Sequence, residues 1–276
     1  MTMKWQAMSI SWVTGLCRLQ KRCTSVSRTI FFFIILTGAL FFLTPLGVAG
    51  EKTVPFSIGE EIQYTVSWEM IEAGKVNFKV LPFTTINGEK AYHFLLDIRS
   101  NQYIDMFYKI RDRLEGFTDL AFTRSLLHKK TQSGKDKRQV TIRFDWEKKT
   151  ATYSNFGEKR DPIKIPLNTF GPVSAFYKMR TSDFKADQNL SFPVTDGKKQ
   201  FIQKARVMNK EKITLPSGTW DTYVLVLQVN HFSGVFEKSE KPTVTLWVTA
   251  DKKQIPVRIK VKVFIGSVIF DLVSVK

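Results

Sequence analysis

The 276 residues carry 42 Lys and Arg against 25 Asp and Glu, a formal charge of +17, with two cysteines and three histidines. Both cysteines, Cys17 and Cys23, stand before residue 50, so no disulfide can staple the chain beyond it. The three histidines have no metal-ligand spacing, and no nucleic-acid motif accompanies the charge, which points to solubility or to an anionic surface such as phospholipid headgroups or lipopolysaccharide.

In chain order, Arg18, Lys21, Arg22 and Arg28 precede an apolar run from Ile30 to Leu43, followed by Thr44-Pro45 and the small residues Gly47 to Gly50. Basic, apolar and small, in that order, is the pattern of an export signal cleaved after Ala49. Taken over residues 30–49, the same segment reaches the ~20 residues of a transmembrane anchor. Positive charges stay inside, so either reading puts the chain after residue 50 in the periplasm, the anchor reading tying it to the inner membrane. No Cys comes after the apolar run, which excludes a lipidated N-terminal cysteine. Residues 1–49 are thus a signal peptide or N-terminal membrane anchor, and residues 50–276 are expected to form a single β domain. That domain keeps 37 basic and 25 acidic residues, a net of +12, and is long enough for one good core.

After residue 50 the period is two. Ile62, Tyr64, Val66 and Trp68 alternate with polar residues, Ala73-Gly74 breaks the pattern, and Val76, Phe78 and Val80 resume it. Asn87-Gly88 predicts a tight hairpin, because both residues tolerate positive φ. Tyr92, Phe94, Leu96 and Ile98 share one face, opposite His93, Leu95, Asp97 and Arg99. Val140, Ile142, Phe144 and Trp146 form the next stripe, closed by a turn at Glu147-Lys148-Lys149. Trp68 and Trp146 lie in register with aliphatic neighbours and read as core. Helical periodicity is confined to a turn over Gln102–Phe107 and a helix over Pro172–Met179, with Pro at an early position where its missing N–H costs nothing. Lys238 to Pro242 reads as a hairpin loop. Near the end, Val244, Leu246 and Val248 oppose Thr243, Thr245, Trp247 and Thr249, and Val257, Ile259, Val261, Val263 and Ile265 oppose Arg258, Lys260 and Lys262. No helix is long enough for a parallel crossover. The fold class is therefore all-β, an antiparallel meander curled into a barrel or half-barrel, preceded by an apolar N-terminal helix.

Five stretches, GEEIQYTVSWEMIEAGKV (59–76), FYKIRDRLEGFTD (107–119), GPVSAFYKMR (171–180), LPSGTWDTYVL (215–225) and LWVTADKKQIPVRIKVKVFIGSVIFDL (246–272), together resemble the domain-of-unknown-function 3108 family of exported bacterial proteins. The resemblance runs from about Phe56 to Leu272. It implies an all-β envelope domain and supplies no catalytic or binding residues.

Chemistry-bearing patterns are sparse. There is no Gly-x-Ser-x-Gly elbow, phosphate loop or dinucleotide fingerprint. Ser182-Asp183-Phe184-Lys185 has Ser-x-x-Lys spacing without the companion Lys-Thr-Gly, in a polar turn. His93 shares a face with Asp97, a pairing that would respond to pH. Asp105 with Asp112, or Glu115 with Asp119, are carboxylate pairs of the kind that does acid–base work on a sugar, but Arg111, Asp112, Arg113 and Glu115 are expected instead to form cross-strand ion pairs on a solvated face. No catalytic residue, cofactor or metal is predicted. Trp247, set among threonines, is the candidate ligand-facing residue, and Arg258, Lys260 and Lys262 are candidate contacts to an anionic surface. These features point to a non-catalytic envelope module for an apolar or amphipathic ligand, such as a lipid or lipopolysaccharide, or for an anionic membrane surface. A scaffold that pairs with another envelope protein and an envelope hydrolase of unfamiliar type are the alternatives.

Overall fold

The alternating stretches become strands of one antiparallel sheet, fifteen of them among the described residues. The computed structural model describes residues 54–135, 137–228, 243–262 and 266–276. The expected leader over 1–49, the loop at Lys238–Pro242, and Val263 and Ile265 of the cationic strand lie outside the described residues.

The strands are β1 (Glu61–Trp68), β2 (Ile71–Ile86), β3 (Glu89–Ser100), β4 (Arg111–Asp119), β5 (Ser125–Ser133), β6 (Lys137–Asp145), β7 (Thr150–Asn155), β8 (Glu158–Lys159), β9 (Ile163–Lys164), β10 (Asn189–Thr195), β11 (Gln200–Leu215), β12 (Gly218–Gln228), β13 (Thr243–Thr249), β14 (Pro256–Lys262) and β15 (Ser267–Val275). Helix α1 (Gln102–Asp105) links β3 to β4, and α2 (Pro172–Arg180) precedes β10. The meander β1 to β7 and the meander β10 to β15 meet where β15 pairs with β1. The sheet does not close: β10 ends one flank, and the short β8 and β9, both paired to β7, end the other. The long strands β2 and β11 are interrupted by bulges at Leu81/Thr84 and Val207/Lys210, which bend the sheet. The meander is thus open and barrel-like.

One continuous stripe faces inward. Tyr64 pairs with Val76 and with Leu272, Phe78 with Leu96, Leu96 with Leu114, and Ile142 with Tyr153, all on the concave side. Beyond β15, Phe270 pairs with Ile259, Ile259 with Leu246, Leu246 with Leu225 and Leu225 with Val207, continuing the stripe in register. Helix α2 lies against this face. Its Tyr177 ring stacks on Phe94 at 3.9 Å and its Phe176 ring on Phe78 at 4.1 Å. A Cβ on Gly116 of β4 would stand 2.9 Å from the Ser174 hydroxyl and 3.1 Å from its backbone nitrogen, so the helix packs where the strand has no side chain. Before the helix, Thr169 and Phe170 strap the two flanks. The Ser125 N–H of β5 donates to the Thr169 carbonyl, and Phe170 exchanges backbone bonds with Pro193 and Thr195 of β10.

Most sequence expectations hold. Asn87 and Gly88 have φ of 51° and 84° at the β2–β3 turn, and α2 and the 102–105 turn are helical. Ala73-Gly74 breaks the alternation as a bulge inside a strand, where the β1–β2 register shifts. β2 runs through it, and Gly74 is required because a Cβ there would lie 2.2 Å from the Arg99 carbonyl of β3. The reversal falls at Glu69 and Met70, between β1 and β2. Trp68 is corrected. It ends β1 at 44% exposure rather than in the core. Trp146 is half-buried, stacked on Phe144, with its indole N–H on the Ser125 carbonyl at 3.0 Å. In β14, Val257 and Val261 are buried, Ile259 is half-buried, and Lys260 and Lys262 are exposed.

Candidate functional site

Helix α2 divides the concave face by its own periodicity. Val173, Ser174, Tyr177 and Arg180 are buried, and Pro172, Ala175, Phe176 and Met179, three or four residues apart, look onto a cavity of about 440 Å³. The opposite wall is apolar: Leu190 and Phe192 of β10, Ala205 of β11, Leu227 of β12, Leu246 of β13 and Ile259 of β14. Gln203 sits in this wall with its amide spent on the Lys204 and Gln228 carbonyls at 3.0 and 3.2 Å.

The helix is held at both ends. The Gly171 N–H donates to the Ser125 hydroxyl at 2.9 Å, and the Thr118 hydroxyl donates to that of Ser174 at 2.9 Å. At the other end Arg180, wholly buried, forks onto both oxygens of Glu60 at 2.6 and 2.9 Å and reaches the Lys253 carbonyl at 2.9 Å. The cavity wall is therefore fixed rather than a loose flap.

On the β4–β7 side the inward stripe turns polar. His128, Lys130 and Gln132 of β5 take the inward positions opposite Ile142, Val140 and Arg138 of β6. Lys130, Arg138 and Lys198, the last from the β10–β11 turn, line the cavity with Asp196, and Arg138 and Lys198 are exposed, so the apolar space reaches solvent past cations. Burial pushes the Lys130 pKa down, Asp112 opposes this from 3.8 Å, and Arg138 and Lys198 add to the lowering. Three cations thus share one field with an incomplete countercharge. Asp112 also accepts from Gln132 at 2.7 Å, and the Lys198 ammonium sits 4.7 Å over the Tyr153 ring. His128, wholly buried, has its pKa lowered to about 3 by desolvation, with Lys130 contributing, so its ring is neutral at neutral pH. Its Nδ1 has no hydrogen-bond partner among the described residues.

None of the four residues singled out from the sequence lines this cavity. Trp247 projects from the other face of β13, and its indole N–H donates to Glu211; the cavity takes its neighbours Val244 and Leu246 instead. Arg258 is half-buried and forks onto Asp271 at 2.5 and 2.8 Å, so its charge is already matched. Lys260 and Lys262 are exposed on the outer face. His93 is corrected as well: its partner is Glu115 at 2.7 Å, across the strand pair, and not Asp97. Asp105 is taken by Arg111 at 2.5 Å, and Asp119 caps the backbone of Thr123 and Arg124, so neither carboxylate pair forms. Phe184 of the Ser-x-x-Lys stretch is core. The missed signal was the composition of β5. A strand without apolar alternation, set between strands that have it, marks where the inner face turns polar.

The model of a protein of unknown function, DUF3108, matches residues 63–273. The chain belongs to the DUF3108 family. Among solved structures, this DUF3108 chain is similar to a β-barrel-like protein of domain of unknown function DUF1849 from Brucella abortus, at 7% identity and a TM-score of 0.52, covering 79% of this chain and 97% of that one. That likeness concerns the fold, and it agrees with the barrel-like curl of the sheet. A candidate lipoprotein from Parabacteroides distasonis (10% identity, TM-score 0.34, covering 81% and 97%) and a candidate exported protein with a YmcC-like fold from Bacteroides fragilis (10%, 0.35, covering 81% and 98%) are more distant. A comparison with curated proteins finds no match. Among the described residues no helix is long and apolar enough to cross a membrane.

Proposed function

We propose that this DUF3108 chain is an envelope binding module that holds the apolar part of an amphipathic ligand between α2 and the β10–β14 wall. The observation that carries this is the cavity itself. Among the described residues, a mostly apolar space of about 440 Å³ lies between α2 and the sheet, within the size range of small-molecule sites. Its lining is mostly apolar and open to solvent on one side, so a ligand tail seated there would displace water from apolar surface. The incompletely countered cations and neutral His128 at the polar side suit a ligand whose other end is an anion or a hydrogen-bonding headgroup. The basic, apolar and small-residue order of residues 18–50 supports export to the periplasm, where such amphiphiles are plentiful.

The test is lipid mass spectrometry on protein purified from its own host, together with binding of a fluorescent fatty-acid probe to residues 52–276, which form a compact unit of their own. A co-purifying amphiphile and probe binding are expected. Ala205→Trp or Val244→Phe, each adding bulk to the cavity wall, should reduce probe affinity at least tenfold. A clean spectrum without probe binding, or equal probe affinity in the filled variants, removes the proposal.

A further inference from the structure

We propose that one end of the sheet docks on an anionic phospholipid bilayer through the β1–β2 and β3–β4 connections. This surface is separate from the cavity, and its docking does not depend on a ligand being held there. Met70 is 98% exposed, Ile71 61%, Tyr103 63%, Met106 72% and Phe107 78%. Exposed apolar residues in this number are unusual on a water-facing surface and mark an interaction site.

They are held as one unit. The Asn101 side-chain amide donates to the Glu72 carbonyl at 2.6 Å and its backbone N–H to the Ala73 carbonyl at 2.9 Å, which ties α1 to the start of β2. The same side chain caps α1 by accepting from the Tyr103 and Ile104 N–H groups at 3.1 and 3.0 Å. Asp105 is fixed by Ser100 and Arg111, both at 2.5 Å. Tyr103, Met106 and Phe107 are therefore presented outward by a braced loop.

Cations surround the apolar residues. Lys75, Lys109, Lys135 and Lys262 are all exposed. The Lys135 N–H donates to the Lys109 carbonyl at 2.9 Å, bringing the β5–β6 turn beside Phe107. Lys262 pairs with Ser267, whose carbonyl accepts from the Glu69 N–H at 2.9 Å, bringing β14 beside the β1–β2 turn. Glu69 and Glu72 are the exposed acids on these two connections, and Asp105 is neutralised by Arg111. The buried centre of a protein interface is depleted of lysine, whereas apolar side chains among lysines are the two-part anchor of a peripheral protein on anionic lipid, with Tyr and Phe at the headgroup level. Arg138 adds to the charge toward this end: it pairs with Gln132, which pairs with Asp112, the residue after Arg111 at the start of β4.

The experiment is sedimentation of residues 52–276 with vesicles of phosphatidylglycerol and phosphatidylcholine, and with phosphatidylcholine alone. Binding to the anionic vesicles, weakened by salt, is expected. Met70→Asp with Phe107→Asp should weaken it at least tenfold without moving the melting temperature, because both side chains are in solvent. Lys109→Ala with Lys135→Ala should weaken it and flatten the salt dependence. Ala205→Trp should leave vesicle binding intact, which separates failure of the docking surface from failure of the cavity reading. Equal vesicle binding by the aspartate variant, or none by the wild type, overturns the proposal. So does a wild-type dimer that the aspartates convert to a monomer without any vesicle binding, which would assign the surface to a second copy of the chain.

Discussion

Arg180 and Glu60 show what single residues do here. Both are buried, and their bidentate contact ties the end of α2 to the residue before β1 across 120 positions of sequence. The guanidinium lies 5.5 Å over the Phe56 ring and 5.6 Å from that of Tyr177, so its stem and plane are also packed. Removing one partner strands the other as a buried charge, whose cost exceeds what the pair contributes when whole. Arg180→Met is therefore expected to cost about 3–5 kcal/mol in guanidinium unfolding. Glu60→Gln added to Arg180→Met should recover a large part of that loss, and a double variant no more stable than Arg180→Met would show that the charge is not the cause. In the sequence Arg180 is one basic residue at the end of a short helix. Nothing local shows that it points inward, because its partner comes from the other end of the domain.

At the scale of elements, strand register is the property the sequence states most clearly. In β14 the buried Val257 and Val261 and the exposed Lys260 and Lys262 occupy the faces their alternation requires, because a one-residue slip would turn cations toward the core. Val261→Asp should unfold the domain or cost several kcal/mol, since it places an unpaired carboxylate among Val244 and Val268. Lys260→Asp should change stability by no more than about 0.5 kcal/mol. Equal melting temperatures for the two variants would refute the register. Arg258 departs from the exposed pattern because Asp271, its neighbour on β15, lets it fold down as a pair. β2 departs in the other direction: the break in its alternation at Ala73-Gly74 is a bulge that the strand runs through, because the glycine admits the close backbone of β3.

At the scale of the molecule, acid stability reports on how the inner face is assembled. His128 titrates at about 3 in the fold and near the ordinary 6.5 when unfolded. Between those values the unfolded chain binds the extra proton, so this contribution is fully present above pH 6.5 and is lost as the pH falls below it, by at most about 1.4 kcal/mol per pH unit. Glu61, Asp105 and Asp145 are held below the usual carboxylate range and so remain ionised at pH 5. From pH 7 to pH 5 the melting temperature of the wild type should therefore fall, and that of His128→Phe should fall less. Parallel curves would show that His128 is not buried neutral. The sequence by itself determined the fold class, the face of most strands, the α2 helix and the Asn87-Gly88 turn, because alternation and turn chemistry are local. Only the tertiary structure decided which inward residues pack and which line a cavity. That choice depends on α2 filling part of an open curl, on β10 and β5 being strapped through residues 169–170, and on Lys130, Arg138 and Lys198 converging from three separate segments. Such placement is set by the packing of segments distant in the chain, for which no local pattern is a proxy.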